Sequence, residues 1–152
     1  MTSNTLFAYY DLSRAPATFD IITFLFIAEI ERIDRGLDEI ELRIVANSGS
    51  GFRSAAHRGL EHVQGSNPAS DDLQLRLENI LLPAANLMPS CARAIFISNR
   101  EEAQRLYDSA DENFPNQYSV ELPKISYFES SILIAKHMGK RLGSLRAPFE
   151  AV

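Results

Sequence analysis

Residues 6–46 read LFAYYDLSRAPATFDIITFLFIAEIERIDRGLDEIELRIVA, and the fold is decided there. Leu6 to Tyr10 is a short apolar run closed by Asp11, which predicts a strand. Asp11 to Pro16 reads as a loop, and Thr18 as the N-cap of a helix with Asp20 in its first turn. From Phe19 to Arg35 the apolar residues follow a helical period. Ile22, Phe26, Ile30 and Ile33 fall on one predicted inward face, and Glu31 can pair with Arg35 one turn on. Gly36 is the expected stop. Glu39 to Ala46 then alternates through Ile40, Leu42, Ile44 and Ala46, which predicts a second strand. Strand, helix and strand within about 40 residues make a βαβ unit, whose strands are parallel and whose crossover is right-handed.

Working outward, residues 47–70 lose periodicity and collect Gly49, Gly51, Gly59, Gly65 and Pro68, as a long loop does. Asp71 and Asp72 open a second helix with Leu73, Leu77, Ile80 and Leu81 as its stripe, and Pro83 is expected to kink or end it. Ala94 to Ser98 reads as a third strand. Glu101 to Ser109 reads as a short helix turning Ala103, Leu106 and Tyr107 inward. Asp111 to Gln117 reads as a turn-rich link, and Tyr118 to Leu122 as a fourth, edge-like strand limited by Pro123. A helix over Ile125 to Met138 and a short strand near Gly143 to Arg146 complete the pattern. The predicted class is therefore α/β: a Rossmann-like three-layer domain with a mainly parallel sheet, spanning 1–152 as one unit.

Composition narrows the function classes. The chain is 152 residues long, 45% hydrophobic and 23% charged, with a net charge of −5, as in an ordinary globular domain. That charge and the lack of a dense basic run argue against nucleic acid as a partner. Met1 to Thr5 carries no Lys or Arg, unlike a secretory leader. The most apolar run, Ile21 to Ile30, is about half the length of a membrane span. With Cys91 as the one cysteine, a cytoplasmic location without a membrane span is expected.

Ligands of parallel sheets sit beyond the carboxyl ends of the strands. The loop after the first strand holds no glycine, so it lacks the G-x-G-x-x-G turn of a dinucleotide site; a P-loop is also missing, and no cofactor is expected. Asp11 and Arg14 in that loop, and Phe52 and Arg53 after the second strand, are the candidate substrate-binding residues. An acid, two guanidinium groups and a ring suit a polar acceptor with an anionic or sugar part. The plainer reading has Asp11 and Arg14 satisfying each other or the local backbone, and Arg53 solvated. His57, Glu61 and His62 miss the zinc-hydrolase spacing, so no metal is expected. Cys91 has no base near it in sequence and reads as a small buried side chain, not a nucleophile. No residue is singled out as catalytic.

Tyr9-Tyr10-Asp11-Leu12 followed by Pro16-Ala17-Thr18-Phe19-Asp20 resembles the opening of bacterial glycosyltransferase-like proteins of GT-B type. Gly51-Phe52-Arg53, Asn79-Ile80-Leu81-Leu82-Pro83, Leu87-Met88-Pro89-Ser90-Cys91 and Tyr118-Ser119-Val120-Glu121-Leu122-Pro123 resemble later blocks in order. Leu145-Arg146-Ala147-Pro148 resembles the junction to a second domain. The resemblance implies an acceptor-side N-terminal half, with the nucleotide sugar held by a second domain or chain, and a sugar or glycan acceptor. It implies a transferase only when completed, and no activity from 1–152 alone. The alternative expectation is a stand-alone Rossmann-like or flavodoxin-like binding or interaction module without catalysis.

Overall fold

The computed structural model describes residues 4–15, 17–47 and 68–121. Phe52, Arg53, the histidine-containing segment 57–62 and the elements expected over 125–146 lie outside the described residues. The chain runs β1 (Thr5–Asp11), α1 (Asp20–Asp34), β2 (Glu39–Val45), α2 (Pro68–Arg76), a π-helical turn (Leu77–Leu81), α3 (Leu82–Leu87), β3 (Cys91–Ile97), α4 (Arg100–Asp108) and β4 (Asn113–Phe114). The sheet order is β3-β2-β1-β4, and every pairing is parallel. Thr5 lies opposite Glu39 and Asp11 opposite Val45, so β1 and β2 run in register along their whole length. The architecture is a three-layer, Rossmann-like α/β fold with the expected βαβ start.

One face of the sheet carries Leu6, Ala8, Tyr10, Ile40, Leu42 and Ile44, packed under α1 and the helical run 68–87. Burying each leucine or isoleucine among them contributes roughly 1.5–3 kcal/mol. The other face carries Tyr9, Val45 and Ile97 under α4, which turns Ala103, Leu106 and Tyr107 inward as expected.

Helix α1 corrects two expectations. Its buried residues include Ile21, Phe24, Leu25, Ala28 and the expected Ile30, with Ile22 and Phe26 at the margin and Ile33 37% exposed. Adjacent rows of this helix are both apolar, and the sheet selects the row that reaches furthest under Tyr10 and Phe114, as the Phe24 ring contacts show. The cap residue is Phe19; Thr18 still helps, its hydroxyl accepting the Asp20 amide at 3.3 Å. The far end behaves as read. Arg35 and Glu31 pair at 3.3 Å. Gly36 has φ +67°, with its amide on the Ile33 carbonyl and the Leu37 amide on the Arg32 carbonyl, a Schellman closure. A Cβ at Gly36 would meet nothing within 4 Å, so the cost of Gly36→Ala is conformational alone. It should lower stability by about 1 kcal/mol in urea titrations.

Three further boundaries move. Pro83 neither ends nor breaks the helical run, because the π-helical turn precedes it: the Leu82 amide bonds the Leu77 carbonyl, and Pro83 enters the first turn of α3, where no amide is needed. Cys91 opens β3 instead of preceding it; it is partly buried, and burial pushes its thiol up, away from thiolate chemistry. The fourth strand is Asn113–Phe114 inside the expected link, while Tyr118 to Glu121 pairs with no strand. Leu12, just beyond β1, is fully buried.

At the amino end, Arg32 grips the buried Glu29 through two bonds of 2.7 Å and donates to the Leu37 carbonyl at 2.6 Å. Ser90 donates to the same carboxylate. Burial alone would push Glu29 up, but the bonds from Arg32 and Ser90 and the Arg32 charge outweigh it, and its pKa is lowered. A lowered folded pKa means that Glu29 adds stability above its unfolded pKa, and that this contribution drains as pH falls through the folded value. Urea midpoints from pH 6 to pH 3 should therefore show wild type above Glu29→Gln at pH 6, with the gap narrowing steadily toward pH 3.

Candidate functional site

Because the four strands among the described residues are all parallel, their carboxyl ends share one edge. The strand order places β2 and β3 on one side of β1 and β4 on the other, so the chain reverses direction of growth between β1 and β4. Such a switch point is where doubly wound sheets open a crevice for ligands. Asp11 ends β1 at this point.

Asp11 is fully buried, and its carboxylate is saturated. Oδ1 accepts the Ser13 amide at 2.8 Å and Arg100 at 2.8 Å; Oδ2 accepts Arg100 at 3.0 Å and the Tyr118 hydroxyl at 2.6 Å. A carboxylate offers about four lone-pair sites, and four donors fill them. The pair to Arg100 is the bidentate fork that guanidinium geometry favours. Its carbonyl also accepts the Arg14 and Ala15 amides, which closes the turn after β1. The ion-pair partner of the Asp11 carboxylate is thus Arg100, while Arg14 meets Asp11 through its backbone amide.

Arg100 is the residue that sequence reasoning missed. It opens α4 directly after the carboxyl end of β3, behind the cap Asn99, whose side chain accepts the Glu101 and Glu102 amides. Besides Asp11, its guanidinium donates to the carbonyls of Ala46 and Val120. One side chain thereby ties the ends of β1 and β2 to the segment after β4. The available signal was positional: an arginine just beyond a predicted strand on the ligand edge, equal in standing to those after the first two strands.

Tyr118 stacks on Tyr9 at 5.4 Å between ring centroids and packs on Tyr107 at 5.3 Å. Burial first, and the bond to Asp11 second, push its phenol up, so it stays a donor. Arg14 is exposed on the β1–α1 loop, near the edge. Phe52 and Arg53 follow β2 outside the described residues; of the other two expected residues, the structure joins Asp11 to Arg100 and Tyr118 and places Arg14 on the loop above it.

A second charged group lies on the α4 face of the sheet. Glu41 receives Arg43 at 2.8 Å and Arg93 at 2.6 Å, while Arg43 lies 4.0 Å from the centre of the Phe7 ring and donates to the Tyr9 hydroxyl. Among the described residues no three His, Cys, Asp or Glu side chains gather as a metal site, and no helix is long and apolar enough to cross a membrane. Comparison with family models, with curated proteins and with solved structures returned no match.

Proposed function

We propose that this chain is the acceptor-side, Rossmann-like half of a glycosyltransferase-like protein, and that it binds a sugar or glycan acceptor at the carboxyl edge of its sheet. The observation that carries the reading is the switch point itself: β1 ends there in a polar, internally braced loop, with no glycine turn for a pyrophosphate. A braced rim without a phosphate cradle favours a hydroxyl-rich ligand over a dinucleotide. Arg14 on that rim and Phe52-Arg53 after β2 are the contacts proposed for the acceptor, with Asp11 shaping the loop from below.

The resemblance in the sequence blocks assigns the nucleotide sugar to a second Rossmann-like unit. Residues 1–152 are accordingly expected to transfer no sugar from common nucleotide sugars on their own, and to bind NAD no better than millimolar.

Calorimetric titration with a panel of mono- and disaccharides tests the reading. Arg14→Ala and Arg53→Ala should each weaken the best binder at least ~10-fold, the loss of one charge-assisted hydrogen bond. Unchanged affinity in both folded variants would remove the site. A stand-alone binding module remains the second reading, favoured by the saturation of Asp11, which leaves that carboxylate no lone pair for chemistry.

A further inference from the structure

We propose that residues Tyr118 to Glu121 form a strap across the switch-point crevice, latched by Asp11 and Arg100, and that releasing it exposes the end of β1 to ligand. The strap joins no strand or helix. Its attachments are side-chain bonds: Tyr118 to Asp11, Arg100 to the Val120 carbonyl, and the Val120 amide to Gln104 Oε1 at 2.9 Å. Ladder bonds between β1 and β2 or β2 and β3 do not depend on it. An open groove of about 570 Å³ runs beside this end of the strap, lined by Gln104, Arg105 and Asp108 of α4 and by Val120 and Glu121, while Val120 also packs against the Tyr9–Tyr118 cluster. The tyrosine end is the anchored one, through its ring contacts with Tyr9 and Tyr107.

Segments held by few bonds open at lower free energy than the sheet beneath them. Here the same guanidinium also braces the β1–α1 loop through Asp11, to which the Ser13 amide bonds. Opening of the strap therefore removes two contacts, the Tyr118 bond to Asp11 and the Val120 bond to Arg100, from the ion pair that braces that loop. The device deepens the acceptor reading: strap opening regulates access to that edge. The strap itself is testable without any sugar.

Hydrogen exchange measured by NMR on the full chain is the test, with Arg100→Lys and Tyr118→Phe as variants. Lysine keeps the charge and loses the fork; phenylalanine keeps the ring and loses the hydroxyl. In wild type, Val120 and Ser13 should exchange well before Leu42 and Ile44 in the sheet. Arg100→Lys should speed both strap and loop amides at least ~10-fold, and Tyr118→Phe should speed Val120, with the sheet amides moved far less. Exchange of Val120 and Ser13 at the rate of the sheet amides in wild type and both variants would overturn the proposal. A strap confirmed by exchange, in variants whose sugar affinity does not rise, would retain the latch and reject the acceptor edge beneath it.

Discussion

Replacing Asp11 with alanine should cost about 3–5 kcal/mol, among the largest losses for a single substitution in this chain. The carboxylate is fully buried and feeds four donors at once. Its removal leaves the Arg100 guanidinium, mostly buried, with only backbone carbonyls for company, and strands the Tyr118 hydroxyl. An uncompensated buried charge costs far more than a lost neutral hydrogen bond. Asp11→Asn should cost nearly as much, because its amide group would face another donor where the carboxylate now accepts. Tyr118→Phe removes one spoke and keeps the hub, and should cost about 1–2 kcal/mol. The comparison by thermal and urea unfolding is internal: a small Asp11→Ala effect, equal to that of Tyr118→Phe, would mean that the carboxylate is not the hub.

The second large effect separates breaking a buried ion pair from replacing it. Glu41→Ala should destabilise by about 3–5 kcal/mol, since Arg43 is buried and Arg93 sits on the same carboxylate. Arg43 would then be left buried without its anion, while Arg93, which is largely exposed, can turn into solvent. The double variant Glu41→Leu with Arg43→Leu should recover most of that loss, because well-packed apolar side chains often replace a buried pair at no net cost. Recovery should stop short of complete, since the Tyr9 hydroxyl loses its donor and the Phe7 ring its cation. A double variant as unstable as Glu41→Ala would show that the pair holds the face together in a way packing does not supply.

These two groups also mark where the sequence was legible and where it was not. Residues 6–46 carry the fold plainly: one apolar run, one helical period and one alternating run leave few other ways to bury those side chains. The polar positions of β2 are a different matter. Glu41 and Arg43 are the charged positions between the alternating apolar ones, and both are buried, because each supplies the other's partner across two residues of the same strand. Nothing in local pattern separates a solvated charge from a paired one. The short β4 escaped for a related reason: two residues, Asn113 and Phe114, give no period to read, and the apolar run of Tyr118 to Leu122 drew the strand instead. Tyr118 is apolar in pattern but serves through its hydroxyl, 107 residues from the Asp11 that it meets. Asp11 itself was found from its place after the first strand, while its partner Arg100 came from the third, a pairing set by strand order and not by any motif.

The central claim, that the carboxyl edge of the sheet at the β1–β4 switch is the ligand-facing edge, is tested most directly by mapping amide shifts. A labelled chain titrated with the saccharide panel should show its largest changes at residues 12–15, 46–47, 98–100 and 118–121. Changes confined to the amino ends of the strands, around Asp38, Glu39 and Ser90, or no change with any saccharide, would contradict it.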